Sequence, residues 1–285
     1  MVGFNWLVFA ALAAGVQARA LGLRRGATEQ AVPGKVEQTP LLGLRGGAKK
    51  QAKSGKVEQP MTVEQPKTGK VWVTSTFTRD HVRFARELPG YLGAYINPFT
   101  AIDAKTIESV MLTVNSINAC PYCSGLHGEL ARMSAATPSV KSPAVVFAKT
   151  FAEEGGRGAK VVEAFDKLVA AEGRGRAVNI RALCWMMLWG KTTGNSINAV
   201  RSKLLSGKLW KISPFEMLMF VYYGPLFFVI GVLNAGLARA PQVPSWFSSL
   251  FGAMLWVPQA LHILPAALVC LVLRVIAAPF GGLDL

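Results

Sequence analysis

Aromatic residues are missing from residues 19–70, strand-like alternation of apolar and polar residues is missing throughout, and charge is missing from two long stretches near the C-terminus. Each absence excludes something. A nucleic-acid surface sets Lys and Arg on a folded face with aromatics between them, so the basic N-terminal segment is not read as one and nucleic acid is not expected as a partner. Without alternation there is no set of strands to build a sheet, so the predicted class is all-α and a thioredoxin-like βαβ setting is excluded. No glycine-rich strand-to-helix turn is visible, so nicotinamide binding is not expected, and nothing implies haem or flavin. Of the four cysteines, only Cys120 and Cys123 are closely spaced. Cys184 and Cys270 stand far along the chain with no partner spacing, so a four-ligand zinc site is not predicted. Neither a metal nor a cofactor is expected.

Acidic residues are also scarce, with 16 Asp and Glu against 31 Lys and Arg and a net charge of +15. Residues 1–70 carry 11 of the basic residues and 4 of the acidic ones, so nearly half the excess lies in a quarter of the chain. Leu7–Val16 is a short apolar run followed by small residues, Gln17-Ala18-Arg19-Ala20. Its length suits a secretory signal and is too short to cross a membrane. Residues 21–70 are basic and poor in acids, and Gly34-Lys35-Val36-Glu37-Gln38 recurs at Gly55–Gln59. Such a segment buries too little apolar surface to order itself. The predicted organisation is therefore a signal peptide (1–20), a disordered leader (21–70), an all-α domain (71–240) and a hydrophobic C-terminal extension (241–285). A signal followed by a basic leader resembles the two-part presequence of algal plastid proteins. Secretion is the alternative address.

Helical periodicity runs through the folded part. Ile107, Val110, Met111, Val114 and Ile117 recur at spacings of three and four, which predicts an amphipathic helix over Ala104–Asn118. Cys120–Ala135, Pro143–Glu153 and Ala159–Ala171 follow as helices. Pro89-Gly90 is expected to stop a short helix over Asp80–Leu88, and Gly93–Phe99 is read as a second short element. Gly190–Gly194 is expected to separate helices over Val178–Leu188 and Ser196–Ser206. The charge-free run 217–238 is read as a core helix, with a kinked membrane span as the alternative. Prolines 241, 244, 258 and 265 are expected to break the second charge-free run, 240–273. Its Trp246–Val257 piece has the composition of an interfacial helix, and Ala266–Ala278 is too short to span comfortably. The C-terminal extension is thus the candidate for membrane contact.

Cys120-Pro121-Tyr122-Cys123 carries the chemistry. The two thiols sit one helical turn apart, and His127 follows on the same face. Cys120 opens a helix, where unpaired N–H groups and the positive end of the dipole favour a thiolate. Glu108, on the preceding helix, orients His127 if the two helices form a hairpin. Tyr122 either lends its hydroxyl or packs. A lone Cys-x-x-Cys also occurs as incidental core thiols, so the four residues matter together. His81, among Arg79, Arg83 and Arg86, is read as part of a solvated face, and His262 as capped or interfacial. Cys184 and Cys270 are read as small buried hydrophobes.

The pattern Glu108-x11-Cys120-x2-Cys123-x3-His127, within Thr106–Met133, resembles the active-site region of the alkylhydroperoxidase D and carboxymuconolactone decarboxylase-like superfamily. The resemblance implies an all-α, usually oligomeric protein with thiol-dependent peroxidase activity. It implies that Cys123 attacks a hydroperoxide, that Cys120 resolves the resulting sulfenic acid to a disulfide, and that Glu108 and His127 relay protons. It further implies an external thiol or dithiol reductant. Hydroperoxidases of that family often carry a histidine where Tyr122 stands, while the decarboxylase branch typically lacks the cysteine pair. Two other readings remain open from the residues: an accessory subunit of a membrane complex, suggested by the hydrophobic tail, and a protein disulfide oxidoreductase.

Overall fold

Two helices that pass straight through expected break points, Ser75–Ile96 and Arg174–Leu205, form the centre of the molecule. The computed structural model describes residues 75–118, 120–136 and 141–277. The expected signal peptide and leader, residues 1–70, lie outside the described residues. The elements are α1 (Ser75–Ile96), α2 (Ala104–Asn118), α3 (Pro121–Met133), α4 (Pro143–Glu153), α5 (Ala159–Glu172), α6 (Arg174–Leu205), a short 3₁₀ turn (Leu209–Lys211), α7 (Pro214–Leu237) and α8 (Ser245–Ala277). The class is all-α, and no strand occurs among the described residues.

The central α6 touches α1, α2, α3, α4, α5 and α7, while α1 packs on both α6 and α8. Phe84 of α1 links Trp189 of α6 to Tyr91 of its own helix in an aromatic cluster, with ring centroids 5.1 Å apart for Phe84–Trp189 and 5.7 Å for Phe84–Tyr91. Fully burying side chains of this size stabilises by about 2–3 kcal/mol each, before the entropy of ordering them is counted. The predicted face of α2 is the buried one: Ile107, Val110, Met111 and Val114 all lie in the core.

Three expected breaks are absent, each for a tertiary reason. Pro89 lies inside α1. The missing hydrogen bond and ring clash cost about 3 kcal/mol, but Leu88, Tyr91 and Ala94 around it are buried, and that packing holds the helix through the defect. Gly190 and Gly194 lie inside α6 and admit the cysteine sulfurs described below. Pro258 and Pro265 lie inside α8, which is one helix rather than two. Its inner side, with Ala260, Ile263, Ala267 and Cys270, is buried.

Residues 217–238 are only half a core element. Met219, Tyr223, Leu226 and Phe227 of α7 are buried, but Leu218, Val221, Val229 and Val232 are exposed. α7 begins with a capping box: the Ser213 hydroxyl accepts from the Glu216 N–H, and the Glu216 carboxylate accepts from the Ser213 N–H. Lys203 holds the same carboxylate at 2.6 and 2.7 Å.

The surface reading of His81 is overturned. His81 is fully buried and donates from Nδ1 to the Phe77 carbonyl at 2.8 Å, while its Nε2 accepts from the Tyr223 hydroxyl at 2.8 Å. Burial pushes the imidazole down to about 4, so it is neutral. Beside it, the buried Arg79 guanidinium pairs with Asp80 at 2.8 Å, and the Thr192 hydroxyl donates to the other Asp80 oxygen at 2.7 Å. Arg83 and Arg86 alone of that cluster are exposed. Tyr223 and Thr192 are remote in sequence, so nothing local to His81 disclosed its partners. His262 donates from Nδ1 to the Pro258 carbonyl at 2.7 Å, a local cap.

Candidate active site

The α2–α3 hairpin brings the four residues of the sequence pattern together. Cys120 occupies the N-cap position of α3 with extended backbone, and Pro121 follows in the first turn, where its missing N–H costs nothing. The hairpin is clamped by Asn115, one of the residues that sequence reasoning missed. The Asn115 carbonyl oxygen accepts from the Cys120 N–H at 3.0 Å, and its amide donates to the Ser124 hydroxyl. Ser124 in turn donates to the Cys120 carbonyl at 3.0 Å. Asn115 follows Glu108 by two helical turns, so its place on the same face was the available signal.

Within this frame the two sulfurs stand 2.9 Å apart, with the Cys123 thiol donating to Cys120. Both are free thiols. Cys120 also lies 3.6 Å from the Gly190 carbonyl, to which its thiol donates. One turn further along α3, His127 Nδ1 is 2.9 Å from Glu108 Oε2, and both side chains are buried. A carboxylate acceptor keeps the proton on Nδ1 and leaves Nε2 as the basic nitrogen. Tyr91 and Tyr95 of α1 are near enough to feel the Glu108 charge; burial first, and that charge last, raise the Tyr91 phenol to about 12.

The pair is electrostatically unequal. The hydrogen bond from Cys123 lowers the Cys120 thiol below its ordinary range; burial opposes this, and the N–H groups of Cys123 and Tyr122 reinforce it. The same contact, with burial, raises Cys123 well above its ordinary range. The first negative charge therefore falls on Cys120. Both residues are buried, Cys120 at 0% and Cys123 at 9% exposed.

The helices around the pair explain the glycines of α6. A Cβ on Gly190 would stand 3.3 Å from Cys123 Sγ, and one on Gly194 would stand 2.9 Å from Cys120 Sγ and 3.0 Å from the Phe227 ring. The four-residue spacing puts both on one face of α6, which makes room for both sulfurs. Tyr122 packs rather than reaching into the pair: its ring meets Phe227 of α7 edge-on, with centroids 5.1 Å apart. Asn234 of α7 donates to the Tyr122 carbonyl at 3.4 Å. Phe227 and Asn234 are further site neighbours that no local motif marked.

Cys184 and Cys270 are buried and take no part in the pair. Burial pushes the Cys184 thiol far up, as in an inert core thiol. Among the described residues no three His, Cys, Asp or Glu side chains are grouped to hold a metal ion. No protein-family model, curated protein or solved structure matches this chain.

Proposed function

We propose that the protein is a thiol-dependent peroxidase that reduces organic hydroperoxides through a Cys120–Cys123 disulfide cycle. The observation that carries this reading is the juxtaposition of two free thiols 2.9 Å apart with a buried Glu108–His127 pair at 2.9 Å on the same hairpin. His127 follows Cys123 by one turn of α3, and in this reading it takes the Cys123 proton directly or through one water.

The cycle balances as follows. The Cys123 thiolate attacks the outer peroxide oxygen of ROOH, the O–O bond breaks, and the alkoxide leaves with the proton held by His127 as ROH. Cys123 is now a sulfenic acid. The Cys120 thiolate attacks that sulfur, hydroxide leaves as water with a proton from the acid–base pair, and the disulfide closes. An external dithiol returns two electrons and two protons by thiol–disulfide exchange. Resolution needs little rearrangement, since the second sulfur already touches the first. Cys120, the thiol of lower proton affinity, is suited to be both the resolving nucleophile and the better leaving group during reduction.

The test is turnover of cumene hydroperoxide with dithiothreitol as donor, in the full chain and in Cys123→Ser and Cys120→Ser. The expected result is turnover in the parent and loss in both variants. Equal rates in the parent and Cys123→Ser overturn the reading. Reduction of insulin disulfides faster than of any peroxide reassigns the site to protein disulfide exchange. The address, plastid or secreted, is tested separately by fusing residues 1–70 to a fluorescent reporter.

A further inference from the structure

Helices α7 and α8 are apolar on both sides. On α7, Leu218, Val221, Val229 and Val232 face outward. On α8, Leu250, Met254, Val257, Leu261, Leu264 and Leu268 form an outward stripe at spacings of three and four, each exposing half or more of its surface. Every exposed residue described within 217–237 and 250–272 is apolar. A water-facing helix carries charge on its outer side, and monomeric soluble proteins rarely leave so long an apolar surface bare.

The ends of the helices say what covers it. α7 has 24 residues and α8 has 33, so at ~1.5 Å per residue they are about 36 and 50 Å long, enough for a hydrocarbon core of about 30 Å. Exposed Lys208, Trp210 and Lys211 precede α7, exposed Arg239 lies between the helices, and exposed Arg274 lies near the end of α8. Glu216, the sole acid between residues 203 and 277, is already held by Lys203. An apolar stripe ending in basic residues and an exposed Trp complements a bilayer with anionic headgroups. A protein partner is the poorer match, because protein interfaces carry about one hydrogen bond per 100–200 Å² and the outward residues offer no side-chain donor or acceptor.

α7 is also a wall of the thiol site. Phe227 packs on Tyr122 between the cysteines, and Phe227 and Cys120 Sγ approach each other across Gly194. One helix, about 10 Å thick, thus separates the thiol pair from the outward stripe.

We propose that the outer faces of α7 and α8 lie in an anionic lipid bilayer and that the thiol pair reduces hydroperoxides carried on the acyl chains of that bilayer. The substrate half of this proposal rests on the peroxidase reading; the lipid half does not. The acyl hydroperoxide leaves as a hydroxy-acyl chain plus water, and the two electrons come from Cys120 and Cys123, restored by the external dithiol.

The experiment reconstitutes the full chain by detergent removal with vesicles of phosphatidylcholine and phosphatidylglycerol, with and without phosphatidylcholine hydroperoxide. Leu218→Lys and the double variant Leu261→Lys/Leu268→Lys are compared with the parent by flotation, by turnover of vesicle hydroperoxide, and by turnover of soluble cumene hydroperoxide. The parent is expected to float and to reduce both peroxides. The variants are expected to lose vesicle turnover tenfold or more while keeping cumene turnover, which also reports that they fold. Quenching of the parent's tryptophan fluorescence by brominated acyl chains, which requires no variant, is expected as well. A parent that stays out of the vesicles as a discrete oligomer, unquenched, overturns the lipid face and assigns it to a second copy. A parent that floats and reduces cumene hydroperoxide but not the vesicle peroxide overturns the substrate class alone. Failure on both peroxides overturns the substrate class together with the peroxidase reading, while flotation still judges the lipid face.

Discussion

Glu108 Oε2 meets His127 Nδ1 at 2.9 Å across the α2–α3 hairpin, with both side chains shut away from water. The contact joins two helices through a proton-bearing bond, so Glu108 fixes the orientation and tautomer of the imidazole. Glu108→Gln keeps the size and loses the charge. We expect peroxide turnover to fall by about 10², the scale of a positioned acid–base group, with direct oxidation of the cysteines by diamide unchanged. Comparing kcat/KM with the diamide rate separates proton handling from sulfur geometry; an equal loss in both would remove the positioning role.

The oxidised state is checked by mass mapping. Diamide is expected to remove two hydrogens from the peptide that holds Cys120 and Cys123, since those sulfurs already touch. Cys184 and Cys270, both buried, are expected to stay reduced. A link from either of these to Cys120 or Cys123 would contradict the arrangement.

Gly194→Ala is expected to push Cys120 Sγ and Phe227 apart, because the added Cβ would stand 2.9 Å from the sulfur. Overpacking of this kind costs about 1–3 kcal/mol, and disulfide closure should slow with it. Gly128→Ala is the control: the site is in helix α3 with nothing within 4 Å of the new Cβ, so it should gain up to about 1 kcal/mol from helix propensity. Thermal unfolding and the rate of diamide closure read both.

His81 makes stability fall with acid. Its folded value is about 4, below the ordinary ~6.5 of an unfolded histidine, so the unfolded chain binds a proton that the native core refuses. The contribution is whole above pH ~6.5 and is lost as pH falls through ~4, amounting to about 3 kcal/mol. Unfolding midpoints measured across this window should drop in the parent and drop less in His81→Gln. An identical slope in both would contradict the neutral, buried imidazole.

Much of the fold was legible because α2 and α4 are locally self-consistent. The apolar spacing of α2 and the proline opening of α4 each point to one answer, and both helices occupy their predicted residues. The breaks at Pro89, Gly190–Gly194, Pro258 and Pro265 were misread for one reason. A proline or glycine lowers helix stability locally by a known amount, but whether the helix continues depends on what is buried across it. His81 failed the same way, since its partner Tyr223 is 142 residues away.

The site divides along the same line. Spacing alone placed Cys120, Cys123 and His127 on one helical face, because an α-helix fixes the geometry of neighbours three and four residues apart. It also named Glu108 as the residue that a hairpin would bring opposite. What spacing leaves open is settled by contacts between elements: Asn115 clamps the turn of the hairpin, and Gly190 and Gly194 admit the sulfurs. The first depends on how α2 meets α3 and the second on which backbone reaches each sulfur when α6 packs against the hairpin, so neither follows from the spacing of residues along one helix.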